Sequence, residues 1–563
     1  MDIAALSIQV FQLYIMCVEG YAVFSRAKAL GSDSKLIQTK FRIEEHRLEE
    51  WGQYWGFSRK DTTQLERSLL MRGQNTRKIV IEALTAVSTI LRDSDTLMSR
   101  YGLRKNDLDS QEVLRNLDQK LVERLTFERG RHDEYVVQIN KRNSLLAKCL
   151  WGIRDKSRIE RLIMELKGFN DTLELLLPRG GEKSIDWSTA TLISGSDDPE
   201  ELGIVAKALK ELGQEEAGRI VHFRLENIRL ERAAAQVLTF RPSQHLLINK
   251  NDLDFIPRRS SRERSLALCG ADMVMVEWKP YQLDVSGRQT EVIAQRADNL
   301  ARQLHVSTTR PANWNILPCL GYFDDAAKFR YGYVNALPRG IQQYLPLSLY
   351  ELLETSIPSL GERFRLAEYL AKSLLLFHSS GWVHKSIRSS NIVFFHCAVN
   401  NCPLYGNPYI VGFDYARPDN PNAQSIERSA GNNTENEIYR HPDLQKANPR
   451  RFTAADDIFG LGLVLLEIGL WKRLRTFGPG KGKEFLDKCI TETDKLNPKV
   501  GKTYANAVML CLSGSLGSKH EASLGWEKAV GNREWEDDWR NDKLAEGGKF
   551  YWEVVHQLGK CQA

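Results

Sequence analysis

The sequence predicts a two-part protein, in which an all-α helical bundle precedes an α+β domain with two lobes. In the first part, apolar residues recur at the three- and four-residue spacing of amphipathic helices, with no convincing strand between them. From about residue 246, short alternating runs typical of strands come first, and long helical patterns follow. A chain of 563 residues is also too long for one core. We therefore predict a bundle at 1–180, a linker and brace helix at 181–245, and the two-lobed domain at 246–563.

Composition narrows the classes of function. The chain has 78 basic and 72 acidic side chains, and its net charge of +6 suits an anionic membrane surface without indicating a nucleic-acid partner. Nine cysteines, with no C-x-x-C pair, favour a reducing compartment over a disulfide framework. No basic leader with a cleavage site opens the sequence. We therefore expect a cytoplasmic protein, with plasma-membrane association on activation as a further expectation.

Metal binding is not predicted. The closest group of ligand-type residues is His396 and Cys397 with Cys402, which lacks a fourth ligand and the usual zinc spacing. These residues are predicted to be free thiols and an imidazole on a hairpin.

The first helical segment, residues 3–24, contains a single charged residue, Glu19, and is apolar almost all round. A helix of this kind is buried in a core, or becomes buried elsewhere after release. Two interpretations follow: the central helix of the bundle, or a helix that enters a membrane on activation. No apolar run reaches the roughly 20 residues that a spanning helix requires.

Further amphipathic patterns predict the remaining helices of the first part. The helices are predicted at about 33–57, 61–92, 110–148, 155–177 and 199–240. Residues 182–198, rich in Ser, Thr, Gly and Asp, form a predicted linker. The helical pattern that follows the linker is either a brace between the two parts or an ordinary connector.

Two landmarks carry a family resemblance in the first part. One is the run from Arg42 to Gly52, after the apolar first helix; the other is Trp151–Lys156, leading into Leu162–Asn170. Together they resemble the HeLo domain, the helical prion-inhibition and propagation domain of fungal incompatibility proteins. The resemblance implies a cell-death effector that oligomerises through its bundle. It also implies that residues 1–25 contact a lipid membrane when the domain is activated.

The second part is marked by a loop with His384 and Asn391 seven positions apart, after a helix predicted at 361–380. Three motifs follow it in order: Gly412-Phe413-Asp414, Tyr439–Asp443, and a helix with Asp457 and Gly462. In this order the motifs resemble the core of a protein kinase. The resemblance implies that four residues keep structural roles: His384, Phe413, Asp457 and Gly462.

The chemical positions of that pattern are altered. Kinases have H-R-D-x-x-x-x-N in the catalytic loop and D-F-G in the second motif. Here Ser386 replaces the aspartate that serves as the catalytic base, and Gly412 replaces the aspartate that binds magnesium. Asn391 and Asp414 remain as candidate ligands for ATP and magnesium.

A strand lysine is a further candidate for ATP binding. The run Met273–Lys279 alternates as a strand and ends on lysine, and a helix is predicted at 288–304. In a kinase such a lysine contacts the phosphates and pairs with a glutamate of the next helix. Lys279 and Glu291 are the corresponding residues, and a solvated strand end is the alternative for Lys279.

The glycine-rich phosphate loop that should precede this strand is missing. Pro257–Ser265 stands there instead, with four arginines. We expect this stretch to be a flexible, solvated basic loop, because side chains with Cβ atoms cannot replace a tight glycine turn.

These patterns predict a fungal signalling effector whose helical bundle is controlled by a pseudokinase, without a cofactor. The upstream activator is unknown, and the candidate phosphorylation sites are Ser425, Ser429 and Thr434. One alternative is a divergent Ser/Thr kinase that binds ATP and magnesium. Another is a scaffold without catalytic or membrane activity.

Overall fold

The structure is a computed structural model, and it describes a large part of both halves of the chain. The described residues are 3–25, 32–55, 57, 74–101, 103–106, 150–153, 156–177, 198–236, 241–260, 263–281, 288–305, 314–341, 344–353, 355, 357–399, 402–419, 437–446, 449–514 and 549–561. The chain divides into two units, an N-terminal unit within Met1–Val221 and a C-terminal unit within His222–Ser518 and Asp542–Ala563. The domain boundaries expected from the sequence stay a prediction.

The N-terminal unit is mainly helical. Its elements are α1 (Ile3–Ser25), α2 (Ser32–Tyr54), α3 (Gln74–Arg92), α4 (Ser94–Ser99), β1 (Leu103–Asn106), β2 (Leu150–Ile153), α5 (Lys156–Leu175) and α6 (Pro199–Glu211). The next helix, α7 (Glu215–Gln236), crosses the boundary between the two units. The helix predicted at 110–148 lies outside the described residues.

Helix α1 contributes one face to the core of this unit. The core residues of that face are Leu6, Val10, Tyr14, Cys17, Tyr21 and Phe24. The helix lies close against two neighbours: a Cβ on Gly52 of α2 would come within 2.3 Å of the Tyr14 ring, and one on Gly20 within 2.8 Å of Leu91 of α3. The central position expected for α1 therefore holds for this face. Its opposite face leaves Ile8 51% and Ile15 39% exposed.

A buried charge network joins α2 to α5. Arg47, 3% exposed, donates from Nη1 to Glu44 at 2.9 Å, from Nη2 to Asp171 at 2.7 Å, and from Nε to Glu174 at 2.8 Å. The Asn170 amide donates to the Glu44 carboxylate at 2.9 Å. One guanidinium thus satisfies carboxylates from two helices at once.

The expectation of a bundle without strands is wrong at one place. β1 and β2 pair antiparallel, with Lys105 opposite Trp151. The landmark around Trp151 therefore belongs to a strand, and α5 begins only at Lys156. Leu, Trp and Ile in a four-residue run suit a strand as well as a helix, and the partner strand decides between them.

The pattern at 199–240 forms two helices rather than one. They separate near Gly213, whose φ of +72° favours glycine. The Asp198 side chain caps the first of them, accepting from the Glu200 backbone N–H at 3.0 Å.

The C-terminal unit combines a sheet with a group of helices. Its first elements are β3 (Leu253–Ser260), β4 (Arg264–Cys269), β5 (Asp272–Pro280), α8 (Arg288–Leu304), β6 (Cys319–Asp325), β7 (Arg330–Ala336), β8 (Leu347–Ser348), α9 (Leu349–Leu352) and α10 (Leu360–Ser379). Short strands follow: β9 (Trp382–Val383), β10 (Ile392–Phe394), β11 (Tyr409–Ile410) and β12 (Arg417–Pro418). The last elements are α11 (Ala454–Leu470), α12 (Gly482–Thr493), α13 (Asn497–Val500), α14 (Lys502–Ser513), a π-helix (Tyr551–Val555) and α15 (His556–Gly559).

Five antiparallel strands form the main sheet, in the order β3-β4-β5-β7-β6. The predicted strand that ends on Lys279 is β5, and the predicted helix at 288–304 is α8, so both predictions are confirmed. Trp278 and Phe323 pack edge-to-face on one side of this sheet.

The flexible basic loop expected at 257–265 is wrong in part. Residues 257–260 belong to β3, and Ser260 lies opposite Ser265 of β4. Arg264 is only 8% exposed rather than solvated. The cross-strand pairing orders a stretch whose composition alone indicates a loop.

Candidate functional site

The loop between β9 and β10 is held by one carboxylate from α11. Asp457 accepts from the backbone N–H of His384 at 2.6 Å and from that of Lys385 at 2.8 Å. Lys385 has a φ of +65°, a left-handed conformation that is unusual for a residue with a side chain. The two charge-assisted bonds stabilise this conformation, so the position of Asp457 determines the shape of the loop.

His384 is a buried, neutral member of this loop. Its Nδ1 accepts from the Ser386 backbone N–H at 3.2 Å, and its ring centroid lies 4.6 Å from that of Phe413. Burial lowers the pKa of His384 to about 4. The imidazole therefore packs and accepts as an uncharged ring at neutral pH.

The low pKa of His384 predicts a loss of stability in acid. Above pH 6.5 the imidazole is neutral in both the folded and unfolded states, whereas between pH 6.5 and about 4 only the unfolded state takes up the proton. The free energy of unfolding of the wild type relative to His384→Phe should therefore fall by about 3 kcal/mol as pH drops over this range. Hydrogen exchange of α10 and α11 amides at several pH values measures it.

Glu467 is the reason for using a difference between two proteins. Burial raises the pKa of Glu467 to about 7, so its contribution to stability is lost as pH rises from 4.5 towards 7, opposite in sign to that of His384. Glu467 is present in both proteins and its effect cancels. A wild-type-minus-variant difference that does not change with pH would show that His384 is not the neutral buried group described here.

Ser386 and Asn391 contact each other inside the loop. The Asn391 Nδ2 donates to the Ser386 backbone carbonyl at 2.9 Å and to its Oγ at 3.0 Å. The Asn391 Oδ1 accepts from Arg264 at 3.3 Å and from Arg388 at 3.4 Å. The predicted metal ligand is thus engaged by three side chains of the protein.

Gly412 closes the space beside Asn391. Its φ is +82°, and a Cβ at this position would lie 2.3 Å from Asn391 Nδ2. The Gly412 N–H donates to the Glu277 carboxylate of β5 at 2.5 Å. A carboxylate-bearing residue at 412 would therefore collide with the amide in this arrangement.

The other predicted site residues are dispersed. Lys279 is 6% exposed near the end of β5, opposite Tyr331 of β7, so it is not a solvated strand end. The side chains of Glu291 and Asp414 lie outside the described residues, as do the candidate phosphorylation sites at 425, 429 and 434. The ATP and magnesium roles of these residues stay predictions.

Two of the four structural positions inferred from the sequence have close contacts. Phe413 packs on His384, as above. A Cβ on Gly462 of α11 would come within 2.7 Å of Cys511 in α14, so glycine permits the close approach of these two helices.

Three residues of this site were not found from the sequence: Glu277, Arg264 and Arg388. Glu277 lies two positions before Lys279 in the same strand, and therefore on the same face. Arg264 is the last of the four arginines in the basic stretch. Arg388 lies inside the loop motif, at one of its variable positions. Their composition was visible, but the register that joins them was not.

An apolar cluster fills the space between the sheet and the strand after the loop. It comprises Leu266, Met275, Leu317, Val393, Phe395 and Val411, each at most 3% exposed. A neighbouring cavity, lined in part by Glu277, Tyr333 and Phe413, encloses about 10 Å³. This is near the volume that one water molecule requires and far below that of a nucleotide.

Two features often linked to function are absent from the described ranges. Within them, no cluster of three or more His, Cys, Asp or Glu side chains is arranged to hold a metal ion. Of the helices described, none has the length and apolar character needed to cross a membrane.

Comparison with known families separates the two parts of the chain. Residues 3–205 match the model of the HeLo family, described as prion-inhibition and propagation, which is linked to fungal cell-death signalling. Residues 277–523 match a family described as a domain of unknown function (DUF7580). No curated protein matches the chain. The helical first part is therefore similar to a HeLo bundle, as the sequence predicts, whereas the second match assigns no activity.

Proposed function

We propose that the chain is a HeLo-type cell-death effector, in which the helical part acts on a membrane surface and the C-terminal part controls it without catalysing phosphoryl transfer. The protein is cytoplasmic at rest, and activation by an upstream signal brings it to the plasma membrane as a homo-oligomer formed through the bundle. The HeLo match at 3–205 supports the signalling role.

The observation that carries the membrane proposal is the division of α1 into two apolar faces. One face packs against α2 and α3, as described above. On the other, Ile8 and Ile15 are 51% and 39% exposed, and no basic residue lies in the last turn of the helix. An exposed apolar stripe on an otherwise packed helix favours insertion at the depth of the lipid head groups rather than a full crossing.

The C-terminal part is proposed to have a two-lobed, kinase-like fold. Support comes from the order of its elements: β5, α8, β6 and β7 follow one another as the predicted kinase-like strands and helix require. The Asp457 contacts to the loop backbone agree with the structural role that the resemblance implies. This fold-level analogy supports the architecture and not an activity.

The same part is proposed to be inactive in catalysis. Phosphoryl transfer requires a base, a bound metal ion and positioned phosphates. Ser386 cannot serve as a carboxylate base, and Gly412 supplies no metal ligand. The Asn391 side chain is engaged by Ser386 and two arginines. Incubating the protein with labelled ATP and magnesium tests this, and transfer that is abolished by Lys279→Ala would favour the active-kinase alternative.

The membrane proposal predicts a specific effect of α1 substitutions. The double substitution Ile8→Gln and Ile15→Gln should lower leakage of anionic liposomes about tenfold or more, because two apolar side chains no longer enter the lipid. Loss of viability on expression of the full chain in a fungal cell should decrease in parallel.

Ile79→Gln is the matched control. Ile79 lies on α3 of the same unit and is also 39% exposed, so it removes a similar apolar surface outside α1. Equal leakage by the α1 variant, the control and the wild type would contradict the proposal. An absence of leakage from every protein, activated or not, would favour a scaffold that only binds partners.

A further inference from the structure

Two buried arginines meet at the side-chain oxygen of Asn391. Arg264 comes from the start of β4 and Arg388 from the loop before β10, and their side chains are 10% and 6% exposed. Their Nη2 atoms lie 3.3 and 3.4 Å from the Asn391 Oδ1. These contacts are longer than the 2.7–2.9 Å usual for charge-assisted bonds. The guanidinium groups thus converge without a tight bond to this oxygen.

Carboxylates face this pair from two sides. Glu263, at the solvent side, lies 3.4 Å from Arg388 and 3.7 Å from Arg264, and its side chain is 50% exposed. Glu277, on the inner side, is opposite Arg264 in the strand register and accepts from the Gly412 N–H. The inner carboxylate is fixed by its backbone contact, whereas the outer one is half in solvent at long distances from its partners. Glu263 is therefore the group that another anion can replace.

A divalent cation does not suit this position. The Asn391 oxygen, which a metal ion would need as a ligand, already accepts from two groups that remain charged at every physiological pH. A metal ion there would be repelled by both arginines. The arrangement therefore favours an anion by itself over an anion carried with magnesium.

We propose that Arg264 and Arg388 form a metal-independent binding site for the phosphate group of a small solute, which displaces the Glu263 carboxylate. The planar fork of a guanidinium matches phosphate oxygens with two parallel hydrogen bonds, so two such groups can hold one phosphate from two directions. Arg258, Arg259 and Arg262 precede this site in the sequence and add positive charge that attracts anions. The inference does not depend on the membrane proposal.

The test measures binding of inorganic phosphate, pyrophosphate and ATP to the full chain by calorimetry, in EDTA and in magnesium. We expect pyrophosphate to bind in EDTA, with no gain from magnesium. Arg264→Gln and Arg388→Gln should each weaken its affinity about tenfold or more, because a charged hydrogen-bond donor is lost. Glu263→Gln should strengthen affinity about threefold or more, because the competing carboxylate is gone. ATP binding as tightly as pyrophosphate would identify a nucleotide as the source of the phosphate, and tighter pyrophosphate binding a free polyphosphate.

Two controls separate this site from general attraction to a basic protein. Arg229→Gln removes a 56% exposed guanidinium on α7, and Glu484→Gln a 77% exposed carboxylate on α12; neither should change affinity. Binding that requires magnesium, that is equal in all variants, or that is absent with all three probes overturns the proposal. Should an arginine variant fail to fold, the surface variant Glu263→Gln still decides, because unchanged affinity contradicts displacement.

Discussion

Gly412→Asp should destabilise the C-terminal unit by about 3 kcal/mol or more, and should not create a metal site. Two costs add at this position. A side chain at φ +82° costs about 1–2 kcal/mol relative to glycine. Its Cβ would also lie 2.3 Å from Asn391 Nδ2, and such overpacking typically costs about 1–3 kcal/mol. Hydrogen exchange of the amides in β10 and α11 measures the change within this unit alone.

A series of glycine-to-alanine variants separates the two costs. Gly514 is also left-handed, with φ +62°, but its Cβ would meet no atom within 4 Å, so only the backbone cost of about 1 kcal/mol should appear. Gly406 has open space and no positive φ, and should cost about 0.5 kcal/mol or less. A Gly412→Ala cost no larger than that of Gly514→Ala would contradict the close packing of Asn391 on Gly412.

The same geometry predicts the outcome of an attempt to restore a kinase. A chain with both Ser386→Asp and Gly412→Asp regains the two carboxylates that a kinase pattern requires. It should still transfer no phosphate, because Asn391 and the two arginines occupy the space where a metal ion would lie. Labelled-ATP transfer by this double variant above the level of the wild type would show that the site opens more easily than its contacts indicate.

Arg47→Met should destabilise the N-terminal unit by about 3–5 kcal/mol, the usual cost of removing one partner from a buried ionic network. The change leaves the carboxylates of Glu44 and Glu174 buried, at 1% and 8% exposed, without their shared guanidinium. Methionine keeps much of the length and apolar volume, so the cost is mainly electrostatic. Faster hydrogen exchange in α2 and α5, with the C-terminal unit unchanged, is the expected observation.

Arg100→Met is the matched control in the same unit. Arg100 pairs with Glu165 at 3.0 Å, but its side chain is 56% exposed, and exposed pairs contribute about 0–1 kcal/mol. The double variant Arg47→Met with Glu44→Gln removes one of the stranded charges and should recover part of the loss. If Arg47→Met cost no more than Arg100→Met, the network would contribute nothing specific to the bundle.

Helix positions could largely be predicted from the sequence. The helix predicted at 288–304 has those bounds in the structure, and α10 begins and ends within one residue of its prediction. Apolar periodicity and turn residues are local signals, so they identify such elements without knowledge of the fold. The loop from His384 to Asn391 could be recognised in the same way, because its spacing is contained in one short stretch.

The contacts that define the candidate site could not be predicted in this way. Glu277 meets Gly412 across 135 sequence positions, and Arg264 meets Asn391 across 127. Such contacts depend on strand register and on the crossing of distant segments, which composition does not encode. The pairing of β1 with β2 was missed for the same reason, since each strand has only four residues.

The packing of Asn391 on Gly412 also bears on the order in which substitutions can accumulate. Once position 412 is glycine, the neighbouring amide can move into the vacated volume, and the arginines can settle around its oxygen. Return to aspartate by one substitution then meets a steric and conformational barrier that its loss did not. The change behaves as a one-way step, because reversal requires coordinated changes at several positions. A lineage with this packing is therefore held to a non-catalytic role by its own core.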